Sequence, residues 1–292
     1  MKDPKATNWH TISPTPFPWE KEALDFIQSQ FPTHEPYRAW ASFEFIADDG
    51  SINQVDLLVF SPQGFFLIEI KSDPGPLTGD TQTWTWQQGG RQKVVDNPVF
   101  LTNLKAKKLA SLLQRQRCFD KLRVPFIEPL IFCSSENLQC HLQGNARFHV
   151  CLRDRPNAAG IMAALKRRKC PGLSDKPRGT FDRPMAKTIS RALEQIGIKL
   201  SRRGRRVGDY DLQDLIDEGP GYQDFLGKHV AIKDTLRRIR VYLVQAESTQ
   251  EQREILQRAA EREFRLLQSL EHPGVLKAME FATDERGPLC GC

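Results

Sequence analysis

The feature that most constrains this chain is a pair of consecutive apolar runs with charges inside them, QVDLLVF at 54–60 and GFFLIEIK at 64–71, joined through the turn SPQG. A charged side chain in the middle of an apolar strand costs several kcal/mol unless it is paired, hydrogen-bonded or bound to a metal. Asp56, Glu69 and Lys71 share that cost here. Side chains alternate along a strand, so Glu69 and Lys71 take one face, and Ile70 takes the other and leaves its carbonyl near the same place. The turn brings Asp56 close to Glu69. Two carboxylates and a carbonyl, from Asp56, Glu69 and Ile70, suit one hard cation, Mg²⁺ or Mn²⁺, which keeps waters and can activate one of them against a phosphodiester. Lys71 would orient that water or neutralise charge developing on the phosphate.

The surrounding pattern predicts an α/β arrangement with a mixed sheet. WEKEALDFIQSQF carries Leu24, Ile27 and Phe31 at helical spacing and is stopped by Pro32. SFEFIA at 42–47 joins the two acid-bearing runs as a third strand, and DDGS and SPQG mark the turns between them. TQTWTWQQGGRQKVVDNP reads as a further hairpin. Residues 98–117 read as an amphipathic helix with Leu101, Leu104, Leu109 and Leu112 inward. VPFIEPLIFC at 124–133 and ARFHVCL at 146–152 read as strands. A helix in PMAKTISRALEQIGI and the Gly- and Arg-rich SRRGRRVG then lead to a boundary near Val207, beyond which a second set of strands and a long charged helix follow. The division expected is a first domain over residues 1–170, a helix and basic linker over 171–208, and a smaller domain over 209–292.

Hydrophobic residues at 39% and charged residues at 27% describe a soluble globular chain. No apolar run is long enough for a signal peptide or a membrane span, so the expected location is the cytoplasm, with no membrane partner. Seven cysteines without a CxxC pair fit that address. Cys133, Cys140 and His141 match no standard zinc spacing, and the cysteines read as buried or free thiols. A net charge of +6 is compatible with a polyanionic partner. Basic clusters at 105–108, 115–117, 166–169 and 202–206 are each more often a solvated face than a binding site.

The run QVDLLVFSPQGFFLIEIKSDPGPLTGD resembles the nuclease-related domain, NERD, a branch of the PD-(D/E)xK restriction-endonuclease-like fold. Asp56, Gly64, Glu69, Lys71 and Gly79 match its pattern of Asp, Gly turn, E-x-K and trailing Gly, over roughly residues 19–135. The resemblance implies a sheet flanked by helices, a metal-dependent nuclease with nucleic acid, DNA first, as its partner, and a catalytic Glu on the first helix. Glu20 takes that position, with Glu22 in reserve. Relatives often carry a Gln after an Asn-Pro on the next helix. Here Asn97 and Pro98 are followed by Val-Phe-Leu, and Asn103 and Lys105 are weak substitutes.

From Tyr210 onward the chain resembles the small α+β N-lobe of a protein kinase. LIDEGPGYQDFLGKHVAI supplies two strands around Gly219 and Gly221 without the third loop glycine, and RRIRVYLV supplies a third strand. EREFRLLQSLEHPGVL resembles the helix whose Glu pairs with the strand lysine, making Glu263 that Glu and leaving Arg240, or Arg238, at the basic position. The literal VAIK at 230–233 lies one strand too early. Arg is a poor substitute for Lys at a phosphate contact. The sequence stops at Cys292 before any H-R-D or D-F-G segment, so no kinase activity is expected of it as given, and ATP is a cofactor only of a longer chain. A fragment of a longer NERD-kinase, resembling the large kinases of bacterial anti-phage systems and meeting other defence proteins, is one reading. A short protein with a docking lobe is another, and a small α/β domain whose helix mimics the kinase helix is a third.

Three functions compete. The first is a Mg²⁺-dependent nuclease built on Asp56, Glu69 and Lys71. The second is an inactive nuclease fold that holds nucleic acid through its basic clusters, and the third is a sensing domain of a serine/threonine kinase.

Overall fold

The computed structural model describes residues 8–15, 17–88, 91–200, 206–207, 209–219, 222–232, 235–242, 250–272, 274, 276–284 and 287–291. Its contacts form two compact units, one of Met1–Pro14 and Glu20–Ser201, the other of Thr15–Trp19 and Arg202–Cys292.

The first unit runs β1 (Trp9–Thr11), α1 (Pro18–Ser29), β2 (Arg38–Ile46), β3 (Ile52–Ser61), β4 (Gly64–Lys71), β5 (Gly75–Gly79), β6 (Thr83–Gln88), β7 (Arg91–Asp96), α2 (Pro98–Gln114), β8 (Ile127–Cys133), β9 (Leu138–Cys140), β10 (Val150–Cys151), α3 (Ile161–Arg167), α4 (Arg183–Gln195) and β11 (Lys199–Leu200). A mixed sheet has the order β1-β2-β3-β4-β8-β10, with β11 also pairing β2. The meander β2-β3-β4 is antiparallel, and β8 lies parallel to β4. β4 is apolar on both faces because both are covered. Phe66, Ile68 and Ile70 pack with Ala23, Leu24 and Ile27 of α1 and with α3, while Phe65 and Leu67 pack with Ala106, Leu109 and Leu113 of α2 and with α4. Each such side chain, fully buried, contributes roughly 1.5–3 kcal/mol. Four shorter strands form a second sheet, β7-β6-β5-β9. The alternating Trp84 and Trp86 sit together at its core, 0% and 3% exposed, against Ile131 and Cys133 of β8.

Two expectations are corrected, and two elements are new. The inward face of α2 is Pro98, Thr102, Ala106, Leu109 and Leu113, so of the four leucines expected inward Leu109 is buried and Leu112 partly buried, whereas Leu101 and Leu104 are 52% and 38% exposed. ARFHVCL does not form one strand, since Gly144–Arg147 is a 3₁₀ turn and His149 takes a left-handed φ of 63°, leaving only β10 extended. α3 and β5 were not anticipated, because IMAALKR is a short apolar run and GPLTG holds few β-formers.

The second unit runs β12 (Arg206–Val207), β13 (Tyr210–Gly219), β14 (Tyr222–His229), β15 (Leu236–Tyr242), α5 (Gln250–Ser269), β16 (Glu280–Asp284) and β17 (Gly287–Gly291). Its strands form one antiparallel sheet, in the order β12-β13-β14-β15-β17-β16. Ala260, Leu256, Phe264 and Leu267 of α5 pack with Tyr242 and Cys290 from one face of it. No helix among the described residues is long and apolar enough to cross a membrane.

Candidate active site

β3 and β4 pair as far as Leu57 with Ile68, which sets Asp56 opposite Glu69. There the ladder stops. Instead of a backbone carbonyl, the Oδ2 atom of Asp56 accepts the Ile70 N–H at 2.8 Å. On the other side of β3 the pairing with β2 passes over Asp56 and Ser42, and Ser42 holds φ at 55°, an uncommon conformation for a residue with a side chain. The strands thus part where Asp56, 3% exposed, and Glu69, 8% exposed, enter the interior. Gly64 starts β4 at φ 152°, and a Cβ there would stand 2.7 Å from the Phe66 ring, so the turn needs glycine to keep this register.

Glu69 is held from two sides. Lys71 Nζ donates to its Oε1 at 2.9 Å, and Lys105 Nζ, from α2, donates to its Oε2 at 2.8 Å. Burial alone would raise the pKa of this carboxyl, but the two ammonium groups and their hydrogen bonds outweigh it and hold the pKa at about 2. Glu69 is therefore a carboxylate at any physiological pH. It lines a cleft of about 280 Å³ with Lys71, Lys105, Lys93, Trp86 and Asp73, between the end of β4, the β6-β7 hairpin and α2. Lys93 pairs with Asp73 at 2.8 Å.

Lys105 thus reaches Glu69 from the helix on which the family resemblance led one to expect a Gln, whereas Asn103 points into a different cleft on the other side of α2. Asn97 has a local task, as its Oδ1 accepts the Val99 N–H at 3.0 Å and caps α2. Glu20 is buried in the first turn of α1, at 6% exposure. Glu22 is more than half exposed and pairs with Arg153. Among the described residues no three His, Cys, Asp or Glu side chains gather closely enough to hold a metal ion, so Glu20 does not complete a three-carboxylate set with Asp56 and Glu69. Lys93, Asp73 and Trp86 were missed from the sequence, since only the folding of the hairpin against β4 brings them there.

Some members of the basic clusters are engaged in ion pairs. Lys108 pairs with Asp49 at 2.9 Å, Arg115 with Asp48 at 2.8 Å, and the buried Arg168 with Glu128 at 3.1 Å. Of the 202–206 cluster only Arg206 lies within the described residues.

In the second unit, Arg240 on β15 donates from Nη1 to Glu263 on α5 at 2.9 Å, so the strand cation and helix Glu expected from the sequence do meet. The same guanidinium binds the fully buried Asp224, Nε to Oδ1 at 2.8 Å and Nη2 to Oδ2 at 2.9 Å, and stacks on Tyr222 at 4.1 Å. Arg238 also bonds Asp224. Asp224 stands three positions after Gly221, where the kinase pattern places its third glycine. Gly219 ends β13, and Gly221, Lys233 and Pro273 lie outside the described residues.

Comparison with known proteins adds two findings. The family described as "Nuclease-related domain" matches residues 16–134. Over 275 residues, 94% of its length, the chain is 30% identical to the "Probable kinase PglW" of Streptomyces coelicolor, and it spans 17% of that protein.

Proposed function

We propose, from the match of residues 16–134 to the nuclease-related domain family, that the chain hydrolyses phosphodiester bonds of DNA at Asp56, Glu69 and Lys71, with a divalent metal. The observation that carries the reading is the parting of β3 and β4 at the position where two buried carboxylates face each other, one of them ionised down to about pH 2. The donor set fits Mg²⁺ or Mn²⁺: hard oxygens from Asp56, Glu69 and the Ile70 carbonyl. When bound, such an ion supplies Lewis acidity and a water of lowered pKa.

The chain's own residues do the rest. Asp56 is fixed by the Ile70 N–H, so its carboxylate needs no reorganisation to act. Lys71 lies on the strand face of Glu69 and reaches the same cleft, where its ammonium would stabilise charge gathering on a phosphate. Lys105 holds the second oxygen of Glu69 and positions it. Glu20 is a buried carboxylate on α1 whose catalytic part stands as a proposal from the family pattern alone.

A second reading has its own support. Both Glu69 oxygens are engaged by lysines, and no three-carboxylate group occurs among the described residues. A fold so arranged could bind nucleic acid without cutting it. Lys71→Ala decides between the two: a nuclease loses Mg²⁺- or Mn²⁺-dependent cutting of single-stranded and plasmid DNA by about a hundredfold or more while still binding DNA. Absence of cutting by the wild type under either metal, with DNA affinity retained, would favour the binding module.

The similarity to a protein named as a kinase supports a place in a longer kinase-like protein, with a role in defence against phage resting on the family resemblance. In that longer chain the Arg240–Glu263 pair would stand for the Lys–Glu pair of kinases, and Asp224, bound to Arg240, would compete with the phosphates of ATP for it.

A further inference from the structure

A second cleft, of about 490 Å³, lies across α2 from Glu69 and has the size of a small-ligand site. Pro98, Leu101, Thr102 and Lys105 line the Glu69 cleft, whereas Val99, Phe100 and Asn103 line the second. At about 100° per residue these two sets face away from each other across one helix. The second cleft combines aromatic faces with polar edges. Phe100 and Phe148 are 65% and 43% exposed, far more than a phenylalanine needs to be when packed. Asn97, Asn103 and Asn145 lie beside them, and the Arg178 guanidinium stacks on Phe126 at 4.2 Å. Glu128, the one carboxylate of the lining, is neutralised by Arg168 at 3.1 Å, so Arg178 sets the sign of the exposed charge. His149 also lines this cleft.

The geometry points to this cleft as the seat of an unstacked nucleobase of a single-stranded nucleic acid. The base lies against Phe100 and Phe148, and its edge meets the amides of Asn103 and Asn145. Aromatic faces take any base, a guanidinium adds to the stack, and amides match the donors and acceptors of a base edge. The inference rests on the nuclease reading and deepens it. A helix is about 10–12 Å across, so a strand crossing the first turns of α2 needs on the order of three to four nucleotides to reach the Glu69 cleft. Leu101, exposed at 52%, lies on that crossing and lines the Glu69 cleft. The substrate class is then a single strand or a frayed end.

The test uses the whole chain without divalent metal and short labelled oligonucleotides, single-stranded DNA, single-stranded RNA and blunt duplex DNA, read by fluorescence anisotropy. Phe100→Ala and Phe148→Ala are each expected to weaken single-strand binding about tenfold, equivalent to ~1.4 kcal/mol, the scale of one base stacked on an aromatic ring. Duplex binding stays unchanged, and Phe100→Tyr restores the single-strand affinity. Both phenylalanines are exposed, and unaltered thermal melting confirms that the variants remain folded. The DNA and RNA probes report which strand is preferred. A wild type that ignores single strands, or alanine variants that bind them as tightly as the wild type, overturns the proposal and marks the patch as a protein-docking face. Equal losses on single strand and duplex overturn it too. Because no metal is present, an inactive Asp56–Glu69 site leaves these binding ratios standing, whereas normal cutting with unchanged binding in the phenylalanine variants removes this proposal alone.

Discussion

Glu69 is the residue on which the site's electrostatics turn. Its carboxyl titrates near 2 when folded against an ordinary value of 4.5. A depressed pKa means that Glu69 stabilises the fold above its unfolded value, and that this contribution fades as pH falls from about 4.5 through about 2. Lys105→Met removes one of the two ammonium groups, so the Glu69 pKa must rise and the acid edge of unfolding move to higher pH. Circular dichroism across pH 2–5 reads this; an acid edge identical to that of the wild type means that Lys105 does not hold Glu69 in solution. Asp56, Glu69 and Lys71 were legible in the sequence because a charge within an apolar strand has few physical excuses. Lys105 was weaker, since a lysine on a charged helix usually faces water, and only the seating of α2 beside β4 shows its partner.

At the scale of elements, α2 carries the argument, with its buried stripe on the sheet and clefts on both sides of its first turns. The two kinds of leucine on it should separate cleanly in urea melts. Leu109→Ala, at 0% exposure, is expected to cost about 2–5 kcal/mol, and Leu101→Ala, at 52%, to stay within about 0.5 kcal/mol. Similar losses for both would mean that the helix sits in another rotation. This rotation was hard to read from sequence because Leu, Phe, Val and Ala occur nearly all round the helix, leaving more than one plausible stripe. The strands of the meander were easy for the opposite reason, since continuous apolar runs between Gly and Pro turns have few alternatives. β5 was not, because GPLTG becomes a strand only through pairing with β6 and β9, which local propensity does not encode. The strand expected over 146–152 failed at His149, whose left-handed backbone breaks the extended run.

At the scale of the whole molecule, the nuclease-related segment lies almost entirely in the first compact unit, and the Arg240–Glu263 pair lies wholly in the second. The chain spans 17% of the kinase-named relative. What the first unit does can be asked of this chain directly. The measurement is cutting of single-stranded DNA and nicking of supercoiled plasmid with Mg²⁺ or Mn²⁺, by the wild type and by Asp56→Asn, which keeps an oxygen to accept the Ile70 N–H and hence the fold. The account predicts cutting by the wild type that stops when the metal is chelated and is lost in Asp56→Asn at unchanged melting temperature. Cutting that survives in Asp56→Asn, or a wild type that binds DNA but never cuts it with either metal, contradicts it.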